Sequence, residues 1–580
     1  MRALIVSLGV LTALFVLSLI WGFGLALPGQ GATAAAKDYD PRLANFANWP
    51  THYEELGGDR NYVVPMSFFK GFSEAFTEAK GKAVIDFEAG WVSAEVKGLP
   101  ILEDGFGYEV LLVDNRAGPG NSVALDTGPN GDDIINLGPL DVQGRIATLD
   151  QQPGVERLRA FEVDMAVVRR VGPGDSSAFV IGGLTELFYK WNRKLSLAGA
   201  DPGGVVAADR KRAPSIIGLP AAEASPSVSM LLQSISQGES LFFNETFDGN
   251  GRTCGTCHRV DNNLTIDPTF IATLPSTDRL FVAELDAALA KLENPTLMRG
   301  PRGLILENID GFNKAPVFRS PPPMINLSFT GPYGLSAEFA TIPQFTTGAV
   351  MQHFPKNVGG DPNNITRVAG QDFRLPTQTE LDDIEAFLES QFLPQNQDFT
   401  LDNFVNTGLE QQGRDLFFGS AKCSQCHGGT VLSDADAGLG GGNQSFATGV
   451  VDLAINSGAN GGFGPLPLEA GGDREFSTPP LFGVKNTGPF FHDNSVATLT
   501  EAVAFYDSVE FNTSAAAGIV GTISLTSAEV DAIVAFLNAL VEPQQAAAIP
   551  GVTVLGLAIL AVMMAILLLW RSRRSPLRGR

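Results

Sequence analysis

Cysteine is scarce in this 580-residue chain, which has four. All four fall into two C-x-x-C pairs, so none is left for a structural disulfide framework. Histidine is nearly as scarce at five, and the 5 Trp and 7 Tyr are few beside 39 Phe. Basic residues are short as well, with 40 Lys and Arg against 63 Asp and Glu, a net charge of −23. The two ends hold six Arg and no acid, so residues 37–548 carry about −29. So acidic a body excludes nucleic acid as a partner and excludes docking on anionic lipid. It favours a basic partner, or serves solubility alone.

The scarce residues are concentrated. Cys254-Gly255-Thr256-Cys257-His258 recurs as Cys423-Ser424-Gln425-Cys426-His427. C-x-x-C-H is the attachment signature of c-type haem, in which each thiol adds to one vinyl group and the histidine becomes the proximal iron ligand. The competing readings are a zinc site, which would gather all its ligands in one place, and a thioredoxin-like pair, which does not need the histidine. The sequence therefore points to two covalently bound haem c groups, held by Cys254, Cys257, Cys423 and Cys426, with His258 and His427 on iron. The basic partner is then a small, positively faced cytochrome acting as electron donor or acceptor.

The ends read as targeting segments. Met1-Arg2, an apolar run from Ala3 to Ala26 and the exit Ala34-Ala35-Ala36 describe a secretory signal peptide over 1–36, with an uncleaved anchor as its rival. Gly551 to Trp570 is a charge-free run of twenty residues followed by a basic tail over 571–580. This predicts a transmembrane helix over 551–570 and a cytoplasmic tail. The body would then lie on the periplasmic face, anchored to the inner membrane.

Between these ends the chain is too long for one core. Within a β-rich domain over 37–200, whose first part to about 70 is loop-rich, residues from about 82 to 190 alternate with period two, as in Tyr108, Val110 and Leu112, or Phe161, Val163, Met165 and Val167. With turn clusters between the runs, this predicts an antiparallel, sandwich-like accessory domain. Residues 201–228 read as a linker. Then the sequence repeats itself. Gln237-Gly238-x-x-Leu241-Phe242-Phe243 returns as Gln412-Gly413-x-x-Leu416-Phe417-Phe418. Thr330-Gly331-Pro332-Tyr333 returns as Thr487-Gly488-Pro489-Phe490, and Glu380-x-Asp382-x-Ile384 as Glu529-x-Asp531-x-Ile533. Two homologous cytochrome c domains follow, over 229–395 and 396–546. The expected fold class is multidomain α+β: the β-sandwich-like domain, two mostly α-helical cytochrome c domains and the C-terminal transmembrane helix. Thr379 and Ser527 stand near plausible caps of the closing helices.

The repeat nominates sixth ligands. Aligning Gly348–His353 with Glu501–Tyr506 puts His353 and Tyr506 at one position of one helix. His353 would complete a bis-histidine centre, and Tyr506 would give a harder oxygen ligand. The plainer readings are a core histidine and an aromatic packed on the haem edge. Met324 is a spare thioether candidate. His492, in Phe490-Phe491-His492-Asp493, has no counterpart in the first copy. It reads as a proton donor or propionate contact, or as a loop histidine bonded to Asp493.

On these motifs the haem half, residues 229–546, resembles the bacterial dihaem cytochrome c peroxidase and MauG-type family. The resemblance is strongest through Thr478-Pro479-Pro480-Leu481, Thr487–Asp493 and Tyr506. Peroxidase members carry Met at the Tyr506 position and MauG-type members carry Tyr, so the resemblance implies His427 and Tyr506 as a MauG-like axial pair. It also implies that peroxide is handled at the first haem. The family's W-D-G-R loop is absent there, with Gly334-Leu335-Ser336-Ala337 in its place and no matching glutamate found. The family's interhaem tryptophan is missing too, since no Trp lies between Trp191 and Trp570. The expected function is an electron-transferring dihaem oxidoreductase acting outside the cytoplasm, with hydrogen peroxide as a candidate substrate. The alternative is a purely electron-transferring cytochrome with both haems six-coordinate.

Overall fold

The computed structural model describes residues 61–115, 131–175, 177–191, 226–314, 316–359, 367–391, 408–429, 431–439, 441–453 and 475–540. Nine strands open the described chain: β1 Tyr62–Met66, β2 Lys80–Asp86, β3 Trp91–Lys97, β4 Gly107–Asp114, β5 Asp133–Pro139, β6 Asp141–Gln143, β7 Ile146–Gln151, β8 Met165–Val171 and β9 Ser177–Leu184. They form two antiparallel sheets, ordered β1-β2-β3-β7-β6 and β5-β4-β8-β9. A bridge between Ser67 and Gly182 joins them at one edge. In β3 the alternation is plain: Val92, Ala94 and Val96 are buried while Glu95 and Lys97 face water.

β4 and β8 do not alternate, because both of their faces are covered. Val110, Leu112, Ala166 and Val168 face the core between the sheets. Leu111, Val113, Met165 and Val167 instead join Phe242, Phe247, Phe354 and Phe387 in a second core. The four-stranded sheet is therefore a shared wall between the sandwich and the first C-x-x-C-H region.

That region contains helices α1 Pro226–Asn244, α2 Ile342–His353 and α3 Gln378–Ser390, and the second contains α4 Leu409–Phe418, α5 Leu499–Ala504 and α6 Ser527–Ala539. The repeated glycines explain how each pair of long helices crosses. A Cβ on Gly238 in α1 would lie 1.8 Å from the carbonyl oxygen of Asp383 in α3, and one on Gly413 in α4 would lie 1.8 Å from that of Ala532 in α6. Only a residue without a side chain allows backbone contact this close. The closing helices begin at capping boxes, Thr377 with Glu380 and Thr526 with Glu529. The caps thus lie two residues and one residue before the Thr379 and Ser527 expected from the sequence.

The expected fold class needs correction. Neither C-x-x-C-H region is mostly helical: between α1 and α2 the chain runs through short helical turns, irregular loops and the hairpin β10 Ile305–Glu307 with β11 Val317–Arg319. The second region adds the two-residue pair β12 Ser445–Phe446 and β13 Phe476–Ser477. The architecture is mixed, with sheets throughout. The transmembrane helix is corrected as well: among the described residues no helix is long and apolar enough to cross a membrane. Residues 551–570, the tail 571–580 and the signal-peptide reading over 1–36 lie outside the described residues.

Candidate haem sites

Each C-x-x-C-H motif forms a single tight turn after its opening helix. Cys254–Thr256 is a 3-10 turn whose Thr253 and Thr256 cap each other, and Cys423–Gln425 is its counterpart. After each histidine the chain doubles back through left-handed residues, Asn263 and Leu264 at φ 51° and 54° and Leu432 at φ 59°. This return brings a carbonyl to the imidazole. His258 Nδ1 lies 2.6 Å from Leu264 O, and His427 Nδ1 lies 3.0 Å from Leu432 O. A carbonyl can only accept, so Nδ1 carries the proton and the Nε2 lone pair is left to bind a metal. Burial lowers both imidazoles to about 4, which keeps them in the neutral, ligating form.

The thiols tell against a redox pair. Burial raises Cys254 and Cys423 to about 12, and Cys257 and Cys426 to about 11. A reactive dithiol has one thiol lowered. The zinc reading fails on geometry: among the described residues no group of three or more His, Cys, Asp or Glu could hold a metal ion. What the sulphurs do share is their placement between apolar clusters. Cys254 packs against the Phe242 core and Cys257 against a separate cluster of Ile266, Leu280 and Phe281. Likewise Cys423 packs against Phe417, Leu432 and Phe482, whereas Cys426 packs against Phe505 and Phe511. A macrocycle bonded through both sulphurs would span two greasy walls.

The first site opens on a cleft with His258 and His353 both on its walls. Ile305 and Phe345 make it apolar, and its charged lining residues are paired, Lys70 with Glu307 and Arg319 with Glu338. Apolar walls and two imidazoles lining one cleft, beside two buried thiols, match the chemistry of a haem, so the residues fit the group. The cleft shares Pro322, Gly334, Leu335 and Phe345 with a second, mainly apolar cavity. That cavity lies between the two halves, with buried Met324 and Tyr333 on one side and Thr478 and Pro479 on the other.

His353 ends α2, with Nε2 3.4 Å from Glu307 Oε2 and Nδ1 3.8 Å from Glu293 Oε1. Tyr506 sits in the turn after α5, in the cluster that holds Cys426. Its phenol is pushed up by burial first and then by the Cys423 and Cys426 thiols. The two are not at one position of one helix, however. α2 is capped by Thr341 and α5 by Thr498. Counting from the caps, Tyr506 corresponds to Ala349, and His353 lies one turn further along the same face. Ala349 does line the first cleft.

His492 lies at the junction of the halves. Its ring stacks on Phe476 at 4.1 Å, and its backbone oxygen accepts from Ser320 N at 2.7 Å. Burial, partly opposed by Asp493, lowers it to about 4. The neighbouring Asp493 is fully buried on Arg302, at 2.8 Å. Sequence reasoning missed Lys70, Glu307 and Glu338 at the first cleft. Glu338 directly follows Gly334–Ala337 and bonds Arg319 at 3.3 Å, so its adjacency to that tetrapeptide was the available signal. Nothing local marked Lys70, which is 237 residues from Glu307.

No protein-family model matches the chain. It aligns with a curated protein named cytochrome-c peroxidase IdrP2 from Denitromonas iodatirespirans, 23% identical over 356 residues, which covers 58% of this chain and 88% of that protein. Among solved structures, a MauG-like protein associated with microbial copper homeostasis superposes with a TM-score of 0.36 at 22% identity, over 54% of this chain and 89% of that one. The diheme peroxidase BthA from Burkholderia thailandensis E264 gives a TM-score of 0.33 at 14% identity, over 56% and 89%. With its two C-x-x-C-H turns, the C-terminal part of the chain resembles the dihaem cytochrome c peroxidase and MauG-type proteins.

Proposed function

We propose that the chain is a dihaem c-type oxidoreductase that transfers electrons outside the cytoplasm, with hydrogen peroxide as a candidate substrate at the first site. The observation that carries this reading is the twin construction of the motifs: a buried neutral imidazole fixed through Nδ1, and two sulphurs set between separate apolar clusters. Bound haem supplies one-electron chemistry at iron. The chain's residues then have distinct tasks. Cys254, Cys257, Cys423 and Cys426 anchor, and His258 and His427 serve as proximal ligands. His353 and Tyr506 are the candidates for the opposite faces, and Lys70 and Arg319 balance carboxylate charge at the first cleft. His492, held neutral by burial, is suited to accept a proton rather than to donate one near pH 7. The acidic body suits a small basic cytochrome as electron partner.

A relay with both centres six-coordinate is the second reading, favoured by the presence of His353 in the first cleft. The test has two parts. Intact mass after acid-acetone extraction should show two retained haems, and a bare polypeptide mass would remove the proposal. Electron paramagnetic resonance of the resting and reduced protein, with and without peroxide, then separates the readings. A high-spin signal that peroxide bleaches supports the enzyme, and two inert low-spin centres support the relay.

A further inference from the structure

The sandwich does more than pack beside the first site. Its segment Ser67–Gly71, just after β1, is stitched along the length of α2. Near the start of α2, Gln344 Nε2 donates to Phe68 O at 3.2 Å, and to Ser67 Oγ and Gly182 O at 3.4 Å each. Near its end, Gly71 lies against Met351, where a Cβ would come within 2.0 Å of Cε. Between these contacts, Lys70 points into the haem half with only 2% of its side chain exposed. Its ammonium is ion-paired with Glu307 and donates to Gln352 Oε1 at 3.0 Å. The other oxygen of Glu307 is the one 3.4 Å from His353 Nε2. A continuous chain of contacts thus runs from the sandwich to the candidate sixth ligand.

A buried carboxylate needs a cationic or hydrogen-bonding partner, and leaving one unpaired is strongly unfavourable. Glu307 has three nitrogen-bearing side chains around it, Lys70, His353 and Arg367. Arg367, over the Phe312 ring at 4.2 Å, makes no hydrogen bond among the described residues. Lys70 and the His353 ring are the two within reach. They sit on different oxygens of Glu307, so Lys70 offsets the charge with which the carboxylate holds the ring, and this matters because Nε2 cannot both donate to a carboxylate and coordinate iron. We propose that Lys70 is a positioning residue of the first haem site: by neutralising Glu307 it weakens the carboxylate's hold on the His353 ring and leaves that ring available to the iron, so the sandwich sets the coordination state of that centre. This rests on the reading of His353 as an iron ligand. Removing the ammonium leaves Glu307 with His353 as its nearest partner, and the ring turns to the carboxylate.

The experiment is low-temperature electron paramagnetic resonance on full-length holoprotein, with haem content and circular dichroism as controls for folding. Lys70→Met should convert the first centre from low-spin to mostly high-spin, the change His353→Ala also gives. Lys70→Arg, which keeps the charge, should retain the low-spin signal. The double variant Lys70→Met/Glu307→Gln removes both sides of the ion pair and should return the centre to low-spin. If Lys70→Met alone yields no holoprotein, the double variant decides: a low-spin centre supports the proposal and a high-spin one overturns it. A wild-type spectrum in Lys70→Met overturns the positioning role while leaving ligation intact. An unchanged spectrum in His353→Ala removes the ligand reading and the proposal with it.

Discussion

The sharpest test of the helical framework is Gly413→Ala. The new Cβ would sit 1.8 Å from Ala532 O and 2.4 Å from its carbonyl carbon, where ordinary contact begins near 3.4 Å. α4 and α6 must therefore part by about 1.6 Å, and backbone cannot swing aside as a side chain can. Overpacking costs about 1–3 kcal/mol, and a backbone clash belongs at the upper end. Against this, replacing Gly by Ala in a helix returns about 1 kcal/mol. The net loss is about 2 kcal/mol, or roughly 4–8 °C in the melting temperature of a unit of this size. Thermal unfolding followed by near-ultraviolet circular dichroism reads it directly. Gly518, where a Cβ meets nothing within 4 Å, is the control, and its change to Ala should leave stability level or raise it. If Gly413→Ala melts at or above the wild-type temperature, the close crossing is not what holds these helices.

Two further outcomes follow from buried charge. Glu385 is 1% exposed, and its carboxyl is held well above the usual range by burial first, then by Glu389, Glu186 and Asp382, with Lys190 opposing. The native state thus keeps a proton that the unfolded chain releases above about 4.5, so stability falls as pH rises from there. Glu385→Gln should flatten the decline in melting temperature between pH 5 and pH 8 and melt higher at pH 8; parallel curves would refute this. Arg302→Met leaves Asp493 buried without its 2.8 Å partner and should cost about 3–5 kcal/mol in denaturant unfolding. Adding Asp493→Asn should recover much of that loss, and no recovery would mean the pair is not the link between the halves.

Legibility in the sequence followed the range of the interaction. The C-x-x-C-H turns, Gly238 and Gly413, and the amphipathic closing helices are local patterns, and each was readable within a dozen residues. β4 and β8 read as alternating strands, and the second face they cover was not legible, because its partner is the Phe242 core far along the chain. The ligand helices show a different failure. Matching His353 to Tyr506 by eye ignored the caps at Thr341 and Thr498, which fix the register and separate the two residues by one turn. The Lys70–Glu307 and Arg302–Asp493 pairs join residues 237 and 191 apart, and nothing in either neighbourhood announces its mate.

The carbonyls of Leu264 and Leu432 carry one more implication. Because each grips its imidazole through Nδ1 from a backbone bend, the ring orientation and tautomer are chosen by the polypeptide itself. A metal arriving at either turn meets a donor atom already aimed, and loses little freedom in docking to it. On the proposed reading, the apoprotein would thereby be a template, its donor atom set before a thioether formed.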